Sequence, residues 1–318
     1  MAAALRVVCF GECMLELQGP AFGMLRQSYG GDTLNTAIYL ARCSHSYGAT
    51  QGLQVDYATA LGDDSLSTGL LARWQAEGLG LGCVRRLAGK LPGMYMIDVD
   101  ERGERRFNYW REQAAARAYF DDTPAGGTPL EQQAASIDAL YLSGISLAIL
   151  PPAGRVRLAA VAQALRARGA MVVFDNNYRA RLWPDAATAR AAFQQFYALA
   201  SVALVTLDDE LALWDETDAA SQLARTLALP APELIVKRGA AATLVRLAGQ
   251  AVVEVPTERV AEVVDTTAAG DSFAGAYLAA RLAQRTPVQA AAAGNRLAAR
   301  VVQHRGAVIA AAAMADLM

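Results

Sequence analysis

The chain has 318 residues, of which 54% are hydrophobic and 19% charged, and its formal net charge is −2. This composition supports a large buried core and excludes a disordered chain, and the charge gives no reason to expect nucleic acid or a membrane surface as a partner. With two histidines and no Cys-x-x-Cys pair among its four cysteines, a zinc or haem motif is not expected. The sparse thiols predict buried, reduced cysteines and a cytoplasmic location, and neither a signal peptide nor a membrane span is expected.

Strands and helices alternate along most of the chain. The predicted strands lie at residues 6–12, 55–61, 140–142, 171–174, 202–205, 234–236, 243–247 and 251–255. The predicted helices lie at residues 33–43, 65–77, 152–168, 185–200, 208–214, 219–227, 270–283 and 287–303. This alternation predicts an α/β fold with a doubly wound, mostly parallel sheet that is covered by helices on both faces.

One hairpin interrupts the alternation. Its strands are predicted at residues 94–99 and 105–109, on either side of the turn-forming residues 100–103. Aromatic and basic side chains among its apolar residues favour a small lid that closes over a ligand, while an edge hairpin without a ligand role is the alternative. The side chains in question are Tyr95, Tyr109 and Arg111. We expect one domain, with a lid formed from about residues 12–30 and 90–112.

The most informative segment covers residues 264–275, which read VDTTAAGDSFAG. A strand-like apolar run is predicted to end at Val264, and a helix to begin near Gly270. Small residues between a strand and a helix let backbone N–H groups converge on an anion at the helix N-terminus. The carboxylate of Asp271 would repel phosphate there, but it is well placed to accept a proton from a hydroxyl that attacks phosphate. An ordinary turn with Asp271 as the N-cap residue is the alternative.

A second polar cluster covers residues 30–37, which read GGDTLNTA. Paired glycines precede a predicted helix, and the first turn of that helix presents Asp32 and Asn35. A turn followed by an ordinary N-cap is the alternative.

A third cluster covers residues 174–179, which read FDNNYR and follow a predicted strand. Doubly wound sheets bind ligands outside the carboxyl ends of their strands. If the chain stays extended here, Asp175, Asn177 and Arg179 face the same side. A loop of solvated polar residues is the alternative.

Together, these three segments resemble those of the ribokinase-like carbohydrate kinases, the PfkB family. Residues 265–271 resemble the family signature Asp-Thr-x-Gly-Ala-Gly-Asp, with Ala268 where the family usually has glycine. Because alanine disfavours positive φ, a negative φ is expected at Ala268. The resemblance spans nearly the whole chain and implies a three-layer ribokinase-like fold with a small β-sheet lid. It also implies ATP and Mg²⁺, Asp271 as the catalytic base, and an anion hole formed by the N–H groups of Ala268, Ala269 and Gly270.

Four stretches, residues 93–95, 109–111, 175–179 and 206–210, and the Ala-Ala-Gly-Asp variant of the signature carry a closer resemblance. Within the family, they make the chain look most like the kinases of 2-keto-3-deoxygluconate, a sugar acid. The resemblance implies phosphorylation of the primary hydroxyl to give 2-keto-3-deoxy-6-phosphogluconate. A sugar acid needs cationic or phenolic donors for its carboxylate, and Arg111 and Arg179 are the candidates. Their alternatives are a surface charge for Arg111 and ATP phosphates for Arg179. The implied substrate-binding residues are Gly31, Asp32, Asn35, Tyr95, Tyr109, Arg111, Asn177 and Arg179.

The nucleotide side carries weaker signals. The resemblance implies ATP contacts from Lys237, Gly239, Gly270 and Asn295. The alternatives are a strand end with solvated charges around Lys237, and plain helix packing by the small residues near Asn295.

Metal ligands are less well marked than the other groups. The family often has an Asn-x-x-Glu motif that organises water around magnesium, and this chain keeps Glu210 but has Leu207 in place of the asparagine. Glu210 is therefore expected to act through water, together with Asp208 or Asp209. Asp265 and Thr267 are candidate ligands of a monovalent cation such as K⁺.

Two rival functions stay open at this point. One is another kinase of the same family, of the fructokinase or ribokinase type or acting on a nucleoside. The other is a sensor that binds sugar and nucleotide without turnover, against which the intact Asp271 argues. A homodimer formed through the lid is also expected, because an exposed sheet edge favours association.

Overall fold

The computed structural model describes residues 4–20, 22–44, 52–99, 105–123 and 125–317. The strands are β1 Leu5–Phe10, β2 Met14–Gln18, β3 Arg26–Gly30, β4 Leu53–Leu61, β5 Val84–Arg86, β6 Gly93–Val99, β7 Arg105–Trp110, β8 Ala139–Ser143, β9 Met171–Asp175, β10 Val202–Thr206, β11 Glu233–Arg238, β12 Ala241–Leu247 and β13 Val253–Val255. The helices are α1 Asp32–Ser44, α2 Ser65–Ala76, α3 Pro129–Gln132, α4 Gly144–Ile149, α5 Pro152–Ala167, α6 Ala186–Leu199, α7 Leu207–Trp214, α8 Ala219–Leu227, α9 Ala269–Leu282 and α10 Pro287–Val301.

The large sheet has the strand order β13-β12-β11-β10-β9-β8-β1-β4-β5. Pairing is parallel from β11 to β5 and antiparallel at the β11-β12-β13 edge. Alternate residues of β1 enter different cores: Val8 and Phe10 pack in the cluster with residues of α5 and α6, whereas Val7 and Cys9 pack with residues of α1 and α9. The predicted doubly wound, three-layer architecture is therefore confirmed.

A second sheet stands apart from the large one, in the order β3-β2-β6-β7, and we call it the lid sheet. The predicted hairpin is confirmed, because β6 and β7 pair antiparallel. β6 also pairs in parallel with β2, so the hairpin is not an edge of the large sheet. The predicted turn at residues 100–103 lies outside the described residues.

The predicted strand end at Val264 is wrong. The last strand ends at Val255, and residues 256–264 have no helix or strand. Val264 is 40% exposed, and its N–H donates to the carbonyl of Val302 at 2.8 Å, just beyond α10. Paired valines favour a strand where their side chains pack into a core. Here the loop is bonded to the residue that follows α10 instead.

The four cysteines, Cys9, Cys13, Cys43 and Cys83, are free and buried, as their apolar sequence context predicts. Within the described part of the chain, no helix is both long and apolar enough to cross a membrane.

Candidate active site

The site lies beside the carboxyl ends of the parallel strands, where the sheet order reverses between β1 and β8. Ligands of doubly wound sheets bind at such a switch point. β8 ends at Ser143 and β9 at Asp175, while Lys237 is the penultimate residue of β11. Helices α1 and α9 begin at the same place and bring Asp32 and Asp271 in their first turns.

Close packing of α9 on α1 sets the position of Asp271. A Cβ on Gly275 would stand 2.6 Å from the Cβ of Tyr39 and 3.0 Å from the carbonyl oxygen of Thr36. Only glycine permits this approach. It brings the Asn35 amide to the Asp271 carboxylate, to which Nδ2 donates at 2.8 Å.

The Asp271 carboxylate has the properties of a general base. Burial, helped by the negative charge of Asp32, raises its pKa to about 7, although the Asn35 bond and Lys237 oppose the shift. A base with a pKa near the working pH combines adequate ionisation with proton affinity. Oδ1 of Asn35 is buried without a hydrogen-bond partner among the described residues, so it is available to a donor such as a substrate hydroxyl.

The turn before Asp271 differs from expectation at Ala268, where φ is +60° rather than negative. The turn is closed by the Ala269 N–H, which donates to the Thr266 carbonyl at 3.2 Å, and by Ser272 N–H, which donates to the Ala268 carbonyl at 2.8 Å. These bonds hold the left-handed conformation, at a cost of about 1 kcal/mol for a residue with a Cβ.

Backbone donors nevertheless remain in this turn. In the described part of the chain, the N–H groups of Ala268, Gly270 and Asp271 have no acceptor, whereas that of Ala269 already has one. A Cβ on Gly270 would stand 3.5 Å from Nζ of Lys237, so an ammonium group lies beside the same turn. Free N–H groups at a helix N-terminus and a lysine together form an anion site.

Lys237 is held by Asp175, with Nζ and Oδ2 3.0 Å apart. Asp175 is 4% exposed, and the Tyr141 hydroxyl also donates to it, at 3.4 Å. The carboxylate therefore fixes the ammonium group at the end of the sheet.

The predicted alignment of Asp175, Asn177 and Arg179 on one side is wrong, because Asn177 has φ +28° and the chain turns there. The Asn177 amide donates to Asp32 at 2.8 Å. Arg179 instead pairs with Asp209 at 3.2 Å and bonds the Tyr178 carbonyl. Spacing alone could not reveal this turn.

Asp32 is the acceptor of a small network. The Ser143 hydroxyl and the Asn177 amide both donate to its Oδ2. Burial raises the pKa of Asp32, while these hydrogen bonds lower it. Gly31, just before it, is required by close packing, since a Cβ there would clash with the carbonyl oxygen of Glu12.

The lid sheet presents its polar groups toward the same region. The Tyr95 hydroxyl donates to Glu16, and its ring stacks on Tyr109 with centroids 5.7 Å apart. The Arg181 guanidinium lies 3.9 Å from the centre of the Tyr109 ring and donates to its hydroxyl. This contact joins the lid sheet to the segment after β9 of the large sheet.

Arg111 is 5% exposed and forms an ion pair with Glu12, so the surface-charge alternative for Arg111 is wrong.

The pfkB family carbohydrate kinase model matches residues 4–313. The chain belongs to this family. It is 46% identical over 310 residues to the 2-dehydro-3-deoxygluconokinase of Dickeya dadantii strain 3937, with 97% of this chain and 98% of the relative covered. It is 42% identical over 311 residues to the enzyme of the same name from Escherichia coli K12, with 97% and 98% covered.

A solved structure of similar fold is the fructokinase with bound ATP from Xylella fastidiosa. Its TM-score is 0.79 at 22% sequence identity, with 98% of this chain and 97% of that chain covered. At this identity the likeness concerns the fold, which is the ribokinase-like fold expected from the sequence.

Several nucleotide-side residues of this kinase are already committed to protein contacts. Asn295 donates to the carbonyls of Val255 and Pro256 and accepts from Thr243 at 2.8 Å, so it ties α10 to the β12-β13 edge. Gly239 has φ +59° in the turn between β11 and β12, where glycine is favoured.

Glu210 of the kinase is 1% exposed, and it accepts hydrogen bonds from Tyr197, Asn176 and Trp214. It therefore has little capacity left for metal-bound water. Asp209, the preceding residue, pairs with Arg179, and Lys237 is close enough for its charge to oppose the rise in the pKa of Asp209 that burial causes. No group of three or more acidic, histidine or cysteine side chains in the described ranges is arranged to hold a metal ion.

In the same kinase, Asp265 accepts from the N–H and hydroxyl of Thr267 and from the N–H of Gly306. The two candidate cation ligands thus form a capped turn with each other.

Sequence reasoning missed three residues that the fold brings to the site, Ser143, Glu12 and Arg181, because they belong to no recognised motif. Asp209 was named from sequence only as a possible partner of Glu210. Ser143 carried one usable signal, since a serine between an apolar strand and a helix favours an N-cap at the ligand-binding edge.

Proposed function

We propose that this kinase transfers the γ-phosphoryl group of ATP to the C6 hydroxyl of 2-keto-3-deoxygluconate, the compound also called 2-dehydro-3-deoxygluconate. The relatives at 46% and 42% identity bear the name of this activity. The observation that carries the proposal is the Asp271 carboxylate, bonded to Asn35 and placed beside free N–H groups and the Lys237 ammonium.

The chemistry requires a base and a place for negative charge. Asp271 accepts the hydroxyl proton as the substrate oxygen attacks the γ-phosphorus, and the bond between that phosphorus and the ADP oxygen breaks. The raised pKa of Asp271 suits this role because the carboxylate is ionised at and above neutral pH and still holds a proton well.

Charge on the transferring group is held by main-chain and side-chain donors. The N–H groups of Ala268, Gly270 and Asp271 are free to do so, and that of Ala269 would share its hydrogen with Thr266. Lys237 supplies a cation that Asp175 keeps in place. Preorganised donors of this kind commonly contribute several kcal/mol to a transition state.

Magnesium enters with ATP as part of the substrate, where it neutralises phosphate charge. Asp209, whose side chain is 19% exposed, is more accessible to metal-bound water than Glu210, which is 1% exposed and accepts three hydrogen bonds. Potassium at Asp265 and Thr267 remains a proposal, and comparing activity in potassium and in tetramethylammonium salts tests it.

Recognition of the sugar acid is assigned to the first turn of α1 and to the lid sheet. Asn35 Oδ1 and Asp32 offer acceptors for hydroxyl groups, Tyr95 and Tyr109 cover the carbon chain, and Arg111 offers donors for the carboxylate. Arg179 pairs with Asp209 beside Lys237, and this position favours its alternative role toward ATP phosphates.

A coupled assay of ADP release tests the proposal. The acceptors are 2-keto-3-deoxygluconate, 2-keto-3-deoxygalactonate, fructose and ribose, each at matched concentration with saturating MgATP. The highest kcat/KM is expected for 2-keto-3-deoxygluconate. A preference for fructose or ribose would overturn the substrate, and binding of sugar and ATP without ADP release would favour the sensor.

Association through the lid sheet is a further part of the proposal. Phe107 is 44% and Trp110 55% exposed on β7, and Met24 is 91% exposed just before β3. Exposed apolar residues on one small sheet are typical of a contact surface. Light scattering of the protein and of a Trp110→Lys variant tests it, with a shift toward monomer expected in the variant.

A further inference from the structure

Glu12 lies at the junction between the large sheet and the lid sheet. Its side chain, 2% exposed, forms an ion pair with Arg111, which directly follows β7. Gly93 opens β6, and a Cβ there would stand 2.7 Å from Glu12 Oε1. The Glu12 carboxylate therefore contacts the start of β6 and the residue after β7. A third lid strand, β2, begins two residues after Glu12, at Met14.

The buried ion pair between Glu12 and Arg111 leaves some of its polar atoms without hydrogen-bond partners. Oε1 of Glu12 and Nε of Arg111 are both buried and have no hydrogen-bond partner in the described ranges. Withdrawing two charges from water costs several kcal/mol, and their attraction offsets this only with good geometry and further hydrogen bonds. Two apolar residues would serve stability at least as well, so stability gives no reason for this pair.

The pair borders the proposed sugar pocket. Asp32 is near enough for its charge to act on Glu12, and Gly31 packs against the Glu12 carbonyl oxygen. Because Glu12 accepts from a single terminal nitrogen of Arg111, the remaining N–H donors of the guanidinium have no acceptor among the residues that the structure describes. A planar fork with unused donors matches a carboxylate.

We propose that Glu12 is a positioning residue, which fixes the Arg111 guanidinium at the base of the lid sheet so that its unused donors meet the carboxylate of the acceptor. The pair thereby sets the preference for acidic over neutral sugars, an inference that rests on the proposed function. A guanidinium held in advance loses less side-chain entropy when the substrate binds.

The first test is the isosteric Glu12→Gln variant, assayed with 2-keto-3-deoxygluconate and with fructose as the neutral acceptor. A charge-assisted hydrogen bond is lost, so KM for the acid should rise about tenfold or more, with kcat nearly unchanged. KM for fructose should stay within about twofold, because Arg111 has no carboxylate to bind there. The Glu12→Gln, Arg111→Gln double variant should be no worse than Arg111→Gln alone, since Glu12 acts only through Arg111.

Asp56 provides a matched control. It is 1% exposed and forms a buried ion pair with Arg6, outside the site. Asp56→Asn should lower Tm and leave the preference for the acid unchanged. If Glu12→Gln fails to fold, Glu12→Asp keeps the charge but withdraws it by one methylene, and it too should raise KM for the acid selectively.

The possible results distinguish failure of the positioning role of Glu12 from failure of the proposed function. An equal rise of KM for both acceptors, or a double variant about tenfold worse than Arg111→Gln, makes Glu12 merely structural and overturns the positioning role. An unmutated enzyme that prefers fructose overturns the proposed function itself, before any variant is considered.

Discussion

The catalytic corner and the lid sheet are built in different ways. The corner, where α1 and α9 meet the large sheet, is held by close helix packing at Gly275 and by the bond between Asn35 and Asp271. The lid sheet meets the rest of the protein at the buried Arg111–Glu12 ion pair and at the exposed contact between Arg181 and Tyr109. Under the proposed function, the difference teaches that the reacting groups are held by the core of the large sheet, whereas part of the acceptor site lies on a separate sheet.

The largest difference between the two regions is expected when the proposed base of the catalytic corner, Asp271, is replaced. Asp271→Asn keeps the shape and the packing of α9 but cannot take up a proton at neutral pH. We expect kcat to fall by about 100-fold or more, with little change in KM for either substrate. Initial rates of ADP release measure this.

Asp185 is the control for that variant, because it is also a carboxylate at a helix start, but it is the exposed N-cap of α6 and accepts from the Thr188 N–H. Asp185→Asn should leave kcat unchanged. Near-normal turnover of Asp271→Asn would remove the assigned base.

The pH profile probes the electrostatics of the catalytic corner. Burial and the charge of Asp32 raise the pKa of Asp271 to about 7, and only the ionised carboxylate accepts a proton. The rate should therefore rise as pH increases through about 7 and level off above it. Asp32→Asn removes a like charge, so the midpoint of this rise should move to lower pH even though substrate binding weakens. An unmoved midpoint in kcat against pH would mean that another group limits the reaction.

Loosening the lid sheet should have a smaller effect. Arg181→Ala removes the cation from the Tyr109 ring and the hydrogen bond to its hydroxyl, a pair that contributes about 1 kcal/mol at an exposed site. KM for the acceptor should rise about fivefold. ADP release without acceptor should also increase, because water enters more easily. Arg190, which lies 4.9 Å from the Trp214 ring outside the site, is the control, and Arg190→Ala should change neither quantity.

The smallest expected effect concerns the turn before the base. Ala268→Gly removes the strain of φ +60°, so the free energy of unfolding should increase by up to about 1 kcal/mol and Tm by about 2 °C. Gln284 has φ +62° and is exposed beyond α9, so Gln284→Gly should give a similar gain without touching the site. A fall in Tm for Ala268→Gly, with a rise for Gln284→Gly, would show that the turn and not the residue holds this conformation.

The two regions also differ in how far sequence could predict them. Periodicity located most elements of the large sheet, because buried strands and helices repeat their apolar residues regularly. In the lid, β2 and β3 escaped element prediction, since segments such as Arg26–Gly30 carry little apolar alternation. The resemblance to known kinases supplied the roles of Asp271 and Asn35, which spacing alone left open.

Two predictions failed for the same physical reason. Ala268 and Asn177 both adopt positive φ, at +60° and +28°, where residue preference favours the opposite sign. Local hydrogen bonds of the turn hold Ala268, and the bond to Asp32 holds the Asn177 side chain. Asparagine tolerates positive φ and could have signalled the turn, whereas alanine could not. The sequence therefore predicted that Arg179 contacts the sugar, whereas the turn at Asn177 places it beside Asp209.

The bond between Asn35 and Asp271 spans 236 positions along the chain. Contacts of such long range form late, after the intervening segments have been ordered. A chain still emerging from the ribosome would have its acceptor-binding helix without the base that acts on it. A truncated chain that ends before Asp271 would therefore be unable to transfer phosphate by the proposed route.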